Sequence, residues 1–91
     1  MEDKIIITVL GKDAVGIIAK ICTYLSNNNV NVSDISQTIT GGYFNMMMIV
    51  SPVGSDKSFD DLQRELAGVG EEIGVEVRCQ KSEIFEMMHR V

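Results

Sequence analysis

The chain has 91 residues, a net charge of −5 and an apolar fraction of 45%, which describes one small domain whose single core is marginal enough that self-association helps. Its cations, Lys4, Lys12, Lys20, Lys57, Arg64, Arg78, Lys81 and Arg90, are scattered, and an acidic chain without a basic cluster is not built for nucleic acid. No apolar run reaches the ~18 residues of a membrane span, and Met-Glu-Asp-Lys at the start is too acidic for a secretory leader, so no membrane partner and a cytoplasmic location are expected.

The first strand is expected over Lys4–Leu10. Ile5, Ile7 and Val9 alternate with Ile6, Thr8 and Leu10, and apolar residues on both faces suggest a central strand covered on each side. Gly11 and Asp13 break it. The spacing of Ala14, Ile17, Ile18, Ile21, Cys22 and Leu25 predicts a helix from about Ala14 to Ser26, with Asp13 as its N-cap. Asn27-Asn28-Asn29 ends it, because Asn tolerates the left-handed conformation of a helix C-terminus.

A second strand is expected over Val30–Thr40. The sequence Val30, Val32, Ile35, Gln37, Ile39 changes parity near Ser33-Asp34, where a bulge would restore one apolar face. Gly41-Gly42 signals a hairpin, and Tyr43–Val50 returns as the third strand. Adjacent methionines in Met46-Met47-Met48 point to opposite faces of that strand, which reads as packing rather than a metal site. Pro52, Gly54 and Ser55 make a loop. Ser58 is expected to cap a second helix carrying Phe59, Leu62, Leu66, Val69 and Ile73. Gly74 stops it, and Val75–Gln80 is the fourth strand. Ser82 then opens a short amphipathic tail in which Ile84, Met87, Met88 and Val91 share a helical face.

The expected fold class is therefore α+β: a ferredoxin-like βαββαβ sandwich, a four-stranded antiparallel sheet with two helices on one face, plus a short C-terminal helix. Residues 1–82 make the domain and 83–91 the tail. The second sheet face would be open yet apolar, the mark of an interaction surface, with homodimerisation through that face or a sheet edge as the simplest use.

Chemistry-bearing side chains are few. The single histidine, His89, sits near the end, and Cys22 and Cys79 lack a C-x-x-C spacing. Buried reduced thiols, no metal and no cofactor are expected. An acylphosphatase-like hydrolase of the same architecture would need an arginine in its phosphate-cradling loop, and Gly11–Gly16 has none. No nucleophile–base pair stands out, so no catalytic residue is assigned.

The informative stretch is Gly11-x-Asp13-x-x-Gly16, where a strand turns into a helix whose bared amides can hold a carboxylate. Together with Val30-Asn31-Val32 opening the second strand and Gly42-x-Phe44-x-Met46 opening the third, it resembles the ACT domain family over residues 4 to about 81. The likeness is to stand-alone ACT proteins and to the ACT repeats of glycine-cleavage repressor-like regulators and formyltetrahydrofolate hydrolases. The resemblance implies regulation by a bound amino acid, acting on a metabolic enzyme or regulator carried on a separate chain. It also implies a ligand cleft between two copies, built from Gly11, Asp13, Ala14, Val15 and Gly16 of one and Asn31 of the other. Asp13 would accept the ligand's α-ammonium, amides near Val15 and Gly16 would hold its α-carboxylate, and Asn31 would add a side-chain amide. Serine-sensing loops of the family carry His where Gly11 stands and Asn where Asp13 stands. A ligand-free protein–protein adaptor is the alternative function.

Overall fold

In a computed structural model, the described residues are 4–12 and 16–81. The elements run β1 (Ile5–Lys12), α1 (Ile17–Asn27), β2 (Asn31–Thr40), β3 (Tyr43–Ser51), α2 (Phe59–Ile73) and β4 (Val75–Lys81). The sheet order is β2-β3-β1-β4, with antiparallel pairing throughout. This is the ferredoxin-like βαββαβ fold. The expected tail helix over 83–91 lies outside the described residues.

Alternation decides which side of each strand is buried. Ile5, Ile7 and Val9 of β1, Phe44, Met46, Met48 and Val50 of β3, and Val75, Val77 and Cys79 of β4 meet Ile17, Ile21 and Leu25 of α1 and Leu62 and Leu66 of α2. Ile7 and Met48 face each other across the β1–β3 ladder and are wholly buried. Each such side chain contributes roughly 1.5–3 kcal/mol through burial.

Local chemistry sets the boundaries. Gly41 and Gly42 take φ of 60° and 82°, the two left-handed residues of a type I′ turn that matches strand twist. The β2–β3 register shifts between Val32 and Asp34, so the expected bulge is present and puts Val32, Ile35 and Ile39 on the helix side. Ser58 Oγ accepts the Asp61 N–H at 3.1 Å as the N-cap of α2, and Gly74 closes that helix with φ 77°. At the end of α1 it is Asn29 that turns left-handed, at φ 58°, and Val30 N–H donates to Leu25 O at 2.9 Å.

Two expected boundaries are corrected. β1 does not break at Gly11 but continues through Lys12, because β3 and β4 run alongside and pair Gly11 with Phe44 and Val75. A Cβ on Gly11 would stand 2.7 Å from Val75 Cγ1 and 3.0 Å from Val75 Cα. This glycine therefore permits close approach inside the sheet rather than ending the strand. Likewise α1 starts at Ile17, not Ala14, and its N-cap is Gly16 at φ 87°. Asp13 is thus not the N-cap.

Full cover of β1 on both sides is not seen either: Leu10, on the face away from the helices, is 48% exposed. Edge strand β2 departs furthest from expectation. All ten of its residues are exposed, including Val32, Ile35 and Ile39 on the helix side. The helices roof the other strands, α2 lying along β4, and α1 only brushes β2.

Candidate functional site

Gly16 is the hinge of the candidate site. Its left-handed backbone turns the chain into α1, and its carbonyl accepts the first helical bond from Lys20 N–H at 2.9 Å. Gly16 has no side chain with which to cap this end, and the amides of residues 17–19 have no intrahelical acceptor and give the corner its partial positive charge. A Cβ on Gly16 would meet nothing within 4 Å, so the glycine is demanded by backbone conformation rather than by space.

Beside this corner lies a groove of about 510 Å³ between α1 and the end of β2, lined by Gly16, Ile17, Ile18, Ala19, Gln37, Ile39 and Phe44. Its floor is apolar, and Gln37 supplies a side-chain amide. Because β2 is a sheet edge, the groove opens sideways along a strand whose outer backbone groups pair with no described strand.

The sequence-derived residues fall in three places. Gly11 and Gly16 are at the groove end of the sheet. Asp13, Ala14 and Val15 lie outside the described residues. Asn31 is exposed at the start of β2 and pairs with Ser51, one row beyond the Val50–Ile5 pair. From there to the row of Gly11 is about 23 Å at ~3.3 Å per residue, so a single chain does not bring Asn31 to the corner. Sequence reasoning missed Gln37 and Ile39. They reach the corner only because the bulge turns them toward the helices, and the parity change at Ser33-Asp34 was the signal for it.

A second concavity of about 530 Å³ lies on the open sheet face, with Thr8, Leu10, Ser36, Thr38, Met47 and Arg78 among its lining residues. Its charges are an ion pair, Arg78 to Glu76 at 2.7 Å, and it shares no residue with the candidate set. Among the described residues no group of three His, Cys, Asp or Glu is placed to hold a metal. No described helix is long and apolar enough to cross a membrane.

The described residues make a ferredoxin-like βαββαβ domain with an apolar groove beside the N-terminal end of α1. The ACT domain model matches residues 3–80, and the chain belongs to the ACT domain family. It is 60% identical over 89 residues to a UPF0237 protein of Bifidobacterium longum, covering 98% of this chain and 99% of that one. Among solved structures it is similar to an ACT domain protein from Streptococcus pneumoniae, with 39% identity and a TM-score of 0.81 over 94% of this chain and 97% of that one. It is also similar to the regulatory subunit of aspartate kinase from Thermus thermophilus, with 26% identity and a TM-score of 0.67, covering 88% of this chain and 52% of that one.

Proposed function

We propose that this protein is an amino-acid-responsive regulatory module, without catalysis of its own, that works as a homodimer joined along β2. The observation that carries the reading is the separation of Asn31 from the Gly11–Gly16 corner. β2 is a free edge of ten residues. An identical strand added antiparallel with full overlap sets Asn31 of the partner subunit beside Thr40. Thr40 pairs with Tyr43, and Tyr43 with Lys12, so the far end of one copy arrives at the corner of the other. The same union covers the exposed side chains of Val32, Ile35 and Ile39.

In that cleft the amides of residues 17–19, which have no intrahelical acceptor, hold an α-carboxylate, Asp13 takes the α-ammonium, and the apolar groove accepts the side chain. Ala14 and Val15 complete the proposed ligand-binding set, and Gly11 seats the strand end against β4. Ligand shared by two copies shifts the angle between them, which a metabolic enzyme or regulator on a separate cytoplasmic chain can read. The regulatory subunit of an aspartate kinase among the similar structures supports this class of role.

Thermal-shift titration of the common amino acids at millimolar concentration tests the proposal. Binding at 100 times Kd stabilises by about 2.7 kcal/mol, so at least one amino acid raises Tm, and Gly16→Ala abolishes the rise. If none does, the adaptor reading takes its place, with the bare β2 stripe as the adaptor's contact surface.

A further inference from the structure

The fold gathers three cations that are far apart along the chain. Ile5, at the start of β1, pairs with Lys81 at the end of β4 and with Val50 near the end of β3. Phe59, the first residue of α2, lies beneath Lys81, whose Nζ is 5.5 Å from the ring centroid. At this end of the sheet Lys4, Lys57 and Lys81 border a cavity of about 190 Å³. Among the described residues lining it every charge is a lysine, three of the eight cations and none of the thirteen acids of the chain. The cavity is at the far end of the sheet from the Gly11–Gly16 corner and shares no lining residue with the groove there. Ile5 and Gly11 are six residues apart on β1, about 20 Å at ~3.3 Å per residue.

Lysines on a surface ordinarily lay their stems over apolar edges and send their charges apart into water. Here two of the three are held in place. Lys57 Nζ donates to Glu65 Oε2 at 2.9 Å, and its side chain is only 33% exposed. Lys81 is drawn to the face of the Phe59 ring. An ammonium carries three donors, and Glu65 takes one of those on Lys57. Side chains already ordered lose less freedom when an anion binds between them.

We propose that this pocket is a separate small-molecule site that takes a free phosphate monoester with a compact apolar body. Three cations around one cavity call for an anion of more than one charge, and a phosphate ester carries about −1.5 to −2 at pH 7. Lysine suits phosphate as a point charge, without the planar fork by which arginine grips a carboxylate. The rest of the lining, Ile5, Pro52, Phe59 and Leu62, is matched by carbon rather than by further oxygens. At ~30 Å³ per water the cavity equals about six waters, room for a phosphate on one small ring or short chain but not for a nucleotide. A chain of net charge −5 repels anions at long range, so the affinity arises from contact inside this pocket.

The test is an NMR titration of the whole chain with millimolar phenyl phosphate, read at backbone amides and at Ile and Leu methyls. The expected result is saturable shifts at Ile5, Phe59 and Leu62, and none at Ile17, Ile18 or Ile39 beside α1. Inorganic phosphate should bind about tenfold more weakly, because it forgoes burial of the ring, and phenol should leave these signals in place. Lys81→Met and Lys4→Met keep the apolar stem, and each should weaken binding about fivefold through the lost charge, with the thermal midpoint of the free protein unchanged. The wild-type titration decides alone if a variant fails to fold. No saturable shift, shifts confined to other parts of the chain, inorganic phosphate bound as tightly as phenyl phosphate, or undiminished binding in both folded variants would each overturn the proposal. A phosphotyrosine peptide that binds more tightly than phenyl phosphate would also overturn it, by making the source of the phosphate a protein. No amino acid is present in the titration, so its outcome is independent of the regulatory reading.

Discussion

Tyr24 on α1 donates its hydroxyl hydrogen to Glu65 Oε1 on α2 at 2.7 Å, and Lys57 Nζ donates to Glu65 Oε2 at 2.9 Å. This polar clasp ties the two helices where they meet above the sheet. The hydrogen bonds from Lys57 and Tyr24 hold the Glu65 carboxyl below the ordinary value of 4.5. Burial, then the hydrogen bond to Glu65, holds the Tyr24 hydroxyl above its ordinary value of 10.0.

Stability should follow this clasp at both ends of the pH scale. A carboxyl whose pKa falls on folding adds stability above pH 4.5, and that contribution is lost as pH drops through the lower folded value. Urea midpoints of the wild type and Glu65→Gln should differ at pH 7 and converge in strong acid. A phenol whose pKa rises on folding contributes below pH 10 and loses that contribution as pH climbs toward the folded value. Tyr24→Phe should cost about 1 kcal/mol at neutral pH and little in strong alkali.

Two glycine-to-alanine changes should have opposite signs. Gly11→Ala drives a methyl against Val75 backbone and side chain and should cost about 1–3 kcal/mol by overpacking. Gly68→Ala, on the exposed side of α2 with open space around it, should stabilise by about 0.5–1 kcal/mol. Denaturant titration of the two variants side by side checks the pair.

At Gly16 the cost is conformational. With φ at 87° and no neighbour within 4 Å, alanine should destabilise by about 1 kcal/mol, and asparagine should cost less because it tolerates the left-handed region. Equal losses for the two variants would show that the corner needs something other than backbone freedom.

The thiols should react unequally. Cys79 is buried in the core, and burial pushes its thiol up to about 11. Cys22 is only half-buried. Brief iodoacetamide treatment of the native protein should alkylate Cys22 alone, and both should react in denaturant, as read by mass spectrometry. Rapid native modification of Cys79 would mean that β4 opens readily.

Breaking the β2 contact should change mass, not folding. Ile35 is 44% exposed, so Ile35→Lys should leave the unfolding midpoint at high dilution within about 0.5 kcal/mol of the wild type. It should nevertheless halve the mass measured by light scattering. An unchanged mass would remove the edge-to-edge dimer.

What was legible in the sequence was local. Gly41-Gly42, Ser58, Gly74 and the parity change at Ser33-Asp34 each carry their conformation in a few neighbouring residues, and each is found as read. The β1 end and the α1 start were misread because their determinants are elsewhere. Gly11 stays in the sheet because Phe44 and Val75 flank it. Asp13 has the chemistry of an N-cap, but Gly16, three residues on, holds the left-handed turn that begins the helix. Of the residues lining the groove beside α1, only Gly16 stood out in the sequence. Gln37 and Ile39 did not, since a strand residue declares its face in sequence but not which helix end it will stand beside.

The unroofed side of β2 has a consequence for the cell. Val32, Ile35 and Ile39 make a greasy stripe beside a backbone edge that no described strand pairs, the combination that seeds sticky strand-to-strand growth. A chain carrying such a margin is safe when scarce or when its margin is occupied, so crowding it by overproduction should favour precipitation unless an occupant is supplied along with it.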